Sequence, residues 1–149
     1  MSEQHRAVAA RNAGFVLEAL GRKWTLSKAK QTIKASFELW MEQQAEKDIL
    51  SKRELRGEEE TAEQLERFEA RRDAGEFGWK RKIWSMRMRN GTGVPALLTM
   101  LLEPFHPEAT EELAKEIIND NPKGVVEVLR KVLDDSPNSE PEREAPETV

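Results

Sequence analysis

The sequence is poor in cysteine and histidine, two residue types that often bind metals or act as nucleophiles. The 149-residue chain has no cysteine and two histidines, His5 and His106. A metal site usually needs three or four converging ligands, often with histidines at helical spacing, and nothing in this sequence resembles that. His106 lies between Pro104 and Pro107, where we expect a turn at the protein surface. The sequence therefore predicts no metal site and no cofactor.

Acidic side chains are abundant, and a pair of them can act as general acid and general base. Here the acidic runs, among them 58–60 and 111–112, are interleaved with Lys and Arg. Such a pattern is typical of exposed helix faces supported by i,i+4 charge pairs. No serine lies in a nucleophile-elbow pattern, and Gly91-Thr-Gly93 lacks the Lys-Ser/Thr of a phosphate-binding loop. We therefore predict a non-enzymatic protein without catalytic residues.

A basic segment in the middle of the chain is interleaved with Trp79 and Trp84. Basic charge combined with aromatic rings is typical of proteins that bind single-stranded nucleic acid. The alternative is that both tryptophans lie in the core and the cations form an outer face, which would dock an acidic partner or this chain's own acidic tail. The candidate basic face consists of Lys80, Arg81, Lys82, Arg87 and Arg89.

The aromatic residues are the strongest candidates for a partner-binding surface. Four tryptophans are more than the small core of so charged a chain needs, and aromatic side chains are enriched at interface hot spots. We expect some of them to line a groove that receives a helix of a partner. The candidate partner-binding residues are Trp24, Phe37, Trp40, Trp79 and Trp84.

The N-terminal segment that carries Trp24 is compatible with two secondary structures. In the first, Phe15, Leu17 and Ala19 share one face of a strand, and Gly21 supplies the positive φ of a tight turn into a second strand with Trp24. The segment would then be a short β-hairpin. In the second, a helix runs from residue 7 to residue 20 and Gly21 is its C-cap. The hairpin is the preferred interpretation.

From Ser27 onward, apolar residues recur at helical spacing. The first helix should begin at a Ser27 cap and end near Arg56. A break is expected at Gly57 with the acidic residues 58–60, and Thr61 with Gln64 is the pattern of a capping box for the next helix. Further helices are expected at 79–88, 96–102, 110–120 and 122–132. Of these, 96–102 is apolar on nearly all sides and should be the central buried helix. The predicted fold class is mainly α, with about five to six helices and a short N-terminal hairpin.

The composition argues against nucleic-acid-binding, membrane-spanning and secreted proteins. The net charge is −4, with 38% hydrophobic and 35% charged residues, which argues against a dedicated nucleic-acid binder. No apolar run approaches the length of a membrane span and the N-terminus has no signal-peptide core, so we expect a cytoplasmic protein. The expected organisation is a flexible N-terminus over 1–13, a helical domain over 14–135 and a disordered acidic tail over 136–149.

The order of these parts has a further implication. The two strands lead into a helix with a Phe-Glu-Leu-Trp motif, and the C-terminal half has an apolar helix, a His-Pro turn and two helices joined by Asn-Pro. These segments are Phe15–Leu20, Trp24–Leu26, Ile33 with Phe37-Glu-Leu-Trp40, Ala96–Leu102, Phe105-His-Pro-Glu-Ala-Thr-Glu111, Ile117, Asn121-Pro122, Val125-Val126 and Leu129.

In this order the segments resemble the tail assembly chaperones, and related small tail-region proteins, of long-tailed bacteriophages. The likeness extends from Phe15 to Val132, and the charged stretch from Arg53 to Gly78 has no counterpart. The resemblance implies a non-enzymatic helical protein of the host cytoplasm that coats the tape measure protein until tail tube subunits polymerise around it. Its expected partners are the tape measure or tail tube protein, and self-association is left open.

Two other functions stay open from the residues alone. The chain would be a nucleic-acid-associated protein if the basic segment 80–89 contacts phosphates. It would be a structural subunit of a virion if it remains in the mature particle.

Overall fold

A computed structural model of the chain describes residues 14–134, and within that range the protein is mainly helical. Two strands are followed by six helices, so the predicted fold class is confirmed. The predicted segments 1–13 and 136–149 lie outside the described residues, and the boundaries of the predicted helical domain stay a prediction. The elements are β1 (Phe15–Ala19), β2 (Arg22–Leu26), α1 (Gln31–Ser51), α2 (Arg53–Asp73), α3 (Lys82–Arg89), α4 (Val94–Leu102), α5 (Glu111–Asp120) and α6 (Pro122–Asp134).

The described chain divides into two compact units. The first unit comprises the described residues up to Ile33 and from Pro95 onward, and it holds the hairpin and the three C-terminal helices. The second unit is Lys34–Val94 and holds most of α1 together with α2 and α3. No helix in the part of the chain that the structure describes has the length and apolar character needed to cross a membrane.

The N-terminal segment is a β-hairpin, as predicted, and not a helix. β1 and β2 pair in antiparallel register, with Leu17 opposite Trp24. Gly21 has the predicted positive φ, 75°, and Leu20 before it also has a positive φ, 54°. A two-residue turn with positive φ at both positions is of type I′, which matches the twist of the strands. Leucine is an unfavourable choice there because its Cβ crowds the backbone in the left-handed region.

A two-stranded sheet is barely stable alone, and side chains from the helical part of the first unit hold this one. The Leu20 N–H donates to the Asp120 carboxylate (2.8 Å), and the Asn121 side-chain amide donates to the Glu18 carbonyl (2.8 Å). On the other strand, the Thr25 N–H donates to Nε2 of His106 (3.0 Å). Both strands of the hairpin therefore have main-chain groups satisfied by polar side chains.

The core of the first unit centres on α4. Leu97, Leu98, Leu101 and Leu102 are completely buried, which confirms the prediction that this is the central apolar helix. The carbonyl of Leu101, in the last turn of α4, accepts a hydrogen bond from the Ser27 N–H (2.8 Å). Ser27 is thus buried and does not cap α1, which begins four residues later, at Gln31.

Three helix boundaries in the second unit differ from the predictions. α1 ends at Ser51 and not near Arg56. Thr61 is inside α2, so the capping box predicted there is wrong, whereas the break predicted at Gly57 is confirmed by its non-helical φ of 87° and ψ of 168°. α3 begins at Lys82 and not at Trp79, because Lys80 has a φ of 62° and cannot be part of a right-handed helix.

The hairpin turn generates the first testable prediction. Leu20→Asn should stabilise the protein by about 1 kcal/mol, because asparagine adopts the left-handed conformation more easily than leucine. Leu20 is exposed, so the substitution loses little packing. The free energy of unfolding from urea titration would measure the gain. An equal or lower value for the variant would contradict the type I′ assignment.

Candidate functional site

A depression with an apolar floor lies in the second unit, where three helical segments meet. Each segment contributes side chains at i, i+3 or i+4 spacing, which places them on one helix face. The resulting cavity has a volume of about 250 Å³ and is open to solvent. We call it the groove; it is lined by Ala45, Asp48, Ile49, Lys52, Arg56, Gln64, Arg67, Phe68, Arg71, Phe77, Ile83, Met86 and Arg87.

The floor of the groove is apolar. Phe68, Phe77 and Ile83 are almost completely buried, and the two phenylalanine rings meet edge to face with centroids 5.5 Å apart. Ile49 is half-buried, and Met86 exposes 45% of its surface. An exposed methionine beside a firm aromatic floor is suited to partner binding, because its flexible, polarizable side chain adapts to different shapes.

The remaining side chains of the groove are mostly cationic. Five Lys or Arg residues and a single acid, Asp48, line it, so the lining carries a formal charge of about +4 at neutral pH. Arg56 and Arg67 also pair with Glu60 and Glu63 on the same helix, at 3.9 and 4.0 Å. Exposed pairs of this length contribute little stability, so both arginines remain able to meet a carboxylate on a ligand.

Gly57 determines the path of the chain around the groove. Its backbone has the combination of positive φ and extended ψ that is essentially restricted to glycine. A Cβ on Gly57 would meet nothing within 4 Å, so the requirement for glycine comes from the backbone alone. Side chains before the bend, such as Arg56, and after it, such as Arg67, line the same cavity.

The aromatic residues proposed for partner binding fall into two groups. Phe37 is completely buried; its ring stacks on Trp40 (5.4 Å) and meets Trp79 edge to face (5.9 Å). Trp79 in turn contacts Trp84, with centroids 5.3 Å apart. Trp40, Trp79 and Trp84 are half-buried, so they hold α1 against α3 and its preceding loop and still present part of their rings. None of these four residues lines the groove.

Two indole N–H groups in this aromatic cluster are unusual. Nε1 of Trp79 and Nε1 of Trp84 are buried, and neither has a hydrogen-bond partner within residues 14–134. The main-chain N–H of Trp79 does bond, to the Glu38 carboxylate at 2.7 Å. The cluster is thus fixed by ring packing and one charged hydrogen bond rather than by its indole groups.

Trp24 lies in the first unit, apart from these residues in the sequence. It is almost completely buried, its Nε1–H donates to the Ala19 carbonyl (3.0 Å), and its ring meets His106 edge to face. The Arg22 guanidinium lies 4.0 Å from the ring centroid. These contacts make Trp24 a core residue of the hairpin, with little surface left for a partner.

The five residues of the candidate basic face differ in how far they are exposed to solvent. Lys80, Arg81, Lys82 and Arg89 are exposed, whereas Arg87 is half-buried with its guanidinium 5.5 Å from the Trp40 ring centroid. Arg87 alone of the five lines the groove. The other groove cations, Lys52, Arg56, Arg67 and Arg71, lie outside the candidate basic face and form a second basic set.

His106 is in the predicted turn but is not a surface residue, since only 12% of its side chain is exposed. Because Nε2 accepts the Thr25 N–H, the neutral ring has its proton on Nδ1, which lies 3.9 Å from the Glu108 carboxylate. Burial lowers the pKa of His106 from its ordinary 6.5; Glu108 raises it and Arg22 lowers it. The histidine is therefore held neutral and serves as a hydrogen-bond acceptor for the hairpin.

Residues 14–134 contain no group of three or more His, Asp or Glu side chains placed to hold a metal ion. Comparison of the chain with protein-family models, with curated proteins and with solved structures gave no match. Function must consequently be inferred from the geometry of the groove and from the sequence.

The His106 contact generates a pH prediction. A histidine whose pKa is lower in the folded than in the unfolded state stabilises the fold above pH 6.5, and this contribution is lost as the pH falls below that value. Stability should therefore decrease between about pH 7.5 and pH 5.5. Denaturation midpoints at the two pH values measure it. His106→Gln keeps a hydrogen-bond acceptor that does not titrate, so its loss of stability over this pH range should be smaller. His5→Gln is the control and should lose as much stability as the wild type. An equal loss in all three proteins would contradict the role of His106 as a neutral acceptor.

The bend at Gly57 predicts the sign of the change in the free energy of unfolding that Gly57→Ala causes. In a straight helix, Gly57→Ala would stabilise the protein by about 1 kcal/mol, because alanine favours helix. At the observed φ and ψ, it should instead destabilise by about 1–3 kcal/mol. The free energy of unfolding from urea titration distinguishes the two. A stabilised variant would show that the chain is not bent at this position.

Proposed function

We propose that this chain is a non-enzymatic protein-interaction protein whose groove binds an amphipathic helix of a partner. The observation that carries the proposal is the groove itself, an open cavity with an aromatic and aliphatic floor and a charged lining. Helices commonly bind partners by placing an apolar stripe in such a groove. The exposed side chain of Met86 on the floor is the expected first contact.

The sequence resemblance suggests which kind of partner this is. If the chain acts like a tail assembly chaperone of long-tailed phages, its partner is a long helical client such as the tape measure protein. Masking the apolar stripe of that client would keep it from aggregating until tail tube subunits displace the chaperone. In this role the affinity for the client must remain low enough for the tail tube subunits to displace the chaperone.

Two other candidate functions make different physical predictions. A nucleic-acid-associated protein would bind through the exposed cations Lys80, Arg81, Lys82 and Arg89, with affinity that falls steeply with salt. A structural virion subunit would be found in mature particles by mass spectrometry, whereas a chaperone would be absent. Neither alternative gives the apolar floor of the groove a function.

The proposal predicts that a charge on the groove floor abolishes client binding. Met86→Glu places a carboxylate on the apolar floor, where desolvation opposes the docking of an apolar stripe. Co-expression with a long helical client encoded in the neighbouring genes should give a soluble complex for the wild type and at least about tenfold less complex for the variant.

Leu55→Glu is the matched control, because Leu55 is 89% exposed on α2 and does not line the groove. This variant should retain wild-type complex formation. If Met86→Glu binds the client like the wild type, or if both variants lose binding equally, the groove is not the binding site.

A further inference from the structure

We infer that the groove selects helices whose apolar stripe is bordered by carboxylates, so that its ligand is an acidic amphipathic helix. This inference rests on the proposed function and specifies the chemistry of the partner. It follows from the five cations and one acid that line the cavity around the apolar floor.

The cations are spaced to meet a helix rather than a single ion. Lys52 and Arg56 are one helical turn apart, with the Arg56 N–H bonded to the Lys52 carbonyl (3.0 Å). Arg67 and Arg71, after the bend, are also one turn apart on α2. A helical ligand presents residues at the same i,i+4 spacing, so successive acidic side chains along it would each meet a guanidinium or ammonium group. Arginine and carboxylate pair through two parallel hydrogen bonds, which adds geometric selectivity.

The surroundings of the groove favour a protein ligand over a nucleic acid. On the adjoining face of α2, Arg56 and Arg67 border a depression lined by four glutamates. A phosphate backbone that continued beyond the groove across this face would meet like charge. A helix that docks over the groove along one acidic border need not cross this face, and its apolar side chains use the floor formed by Phe68, Phe77 and Ile83, which phosphates cannot. The four glutamates are Glu59, Glu60, Glu63 and Glu66.

The test uses three synthetic helices of about 20 residues, long enough for appreciable helix content. All have the same Leu/Met stripe, and the residues bordering it are Glu, Gln or Lys. Binding to the full chain is measured by fluorescence anisotropy at about 50 mM and about 500 mM salt, because screening separates the charge contribution from the apolar one. The Glu peptide should bind about tenfold more tightly than the Gln peptide at low salt, the Lys peptide should bind least, and the differences should shrink at high salt.

A charge-reversal variant assigns the selectivity to the groove. Arg71 is exposed and lines the groove, so Arg71→Glu leaves the core intact. This variant should lose most of its preference for the Glu peptide and gain affinity for the Lys peptide. Arg89→Glu is the control, because Arg89 is an exposed cation of α3 outside the groove; its preference should remain that of the wild type.

Each remaining outcome has a defined meaning. If no peptide binds, the proposed function itself fails. If all three bind equally, the groove binds helices without charge selection and the present inference is overturned while the proposed function stands. If a single-stranded oligonucleotide displaces the Glu peptide at equal charge concentration, the cations recognise polyanions in general and the inference is likewise overturned.

Discussion

The backbone conformation of Gly57 is the constraint on which the rest of the second unit depends. Arg56 lies just before this bend and Arg67 lies after it, and both line one cavity of about 250 Å³. The bend requires a φ and ψ that side-chain-bearing residues rarely adopt. The direction in which the chain continues after Arg56 is therefore set by the backbone of one glycine.

The first unit solves a different physical problem. Its two-stranded sheet is too small to be stable unaided, and three polar side chains from the C-terminal half satisfy main-chain groups of the hairpin: those of His106, Asp120 and Asn121. The neutral state of the His106 ring belongs to this role, since a protonated Nε2 could not accept the Thr25 N–H. His106, which has the side chain best suited to proton transfer, thus has a structural role as the acceptor of a hydrogen bond from the hairpin.

The spacing of apolar residues along the sequence predicted the helices and strands correctly where tertiary packing buries the same residues. The hairpin, the buried helix α4 and the helix starts at Thr110 and Asn121-Pro122 follow from apolar spacing and capping residues. A groove for a partner helix was predicted, but with aromatic residues that do not line the observed one. The actual lining could not be predicted, because it combines faces of three helices and depends on tertiary placement. The signal was present in part: Arg67 and Arg71 flank Phe68 at helical spacing, but their shared cavity with Ile83 and Met86 depends on where the chain bends. The partly buried positions of Trp40, Trp79 and Trp84 likewise result from ring packing that sequence spacing does not specify.

The central claim, that an acidic amphipathic helix occupies the groove, is tested most directly at Met86. Its methyl group can be followed in a ¹³C-methyl methionine spectrum while the Glu-bordered helix is titrated into the full chain. If the helix binds in the groove, the Met86 signal should shift in proportion to the fraction of protein bound. The signal of Met100, which does not line the groove, should not shift. Saturable binding that leaves Met86 unchanged, or shifts Met100 instead, would contradict the claim.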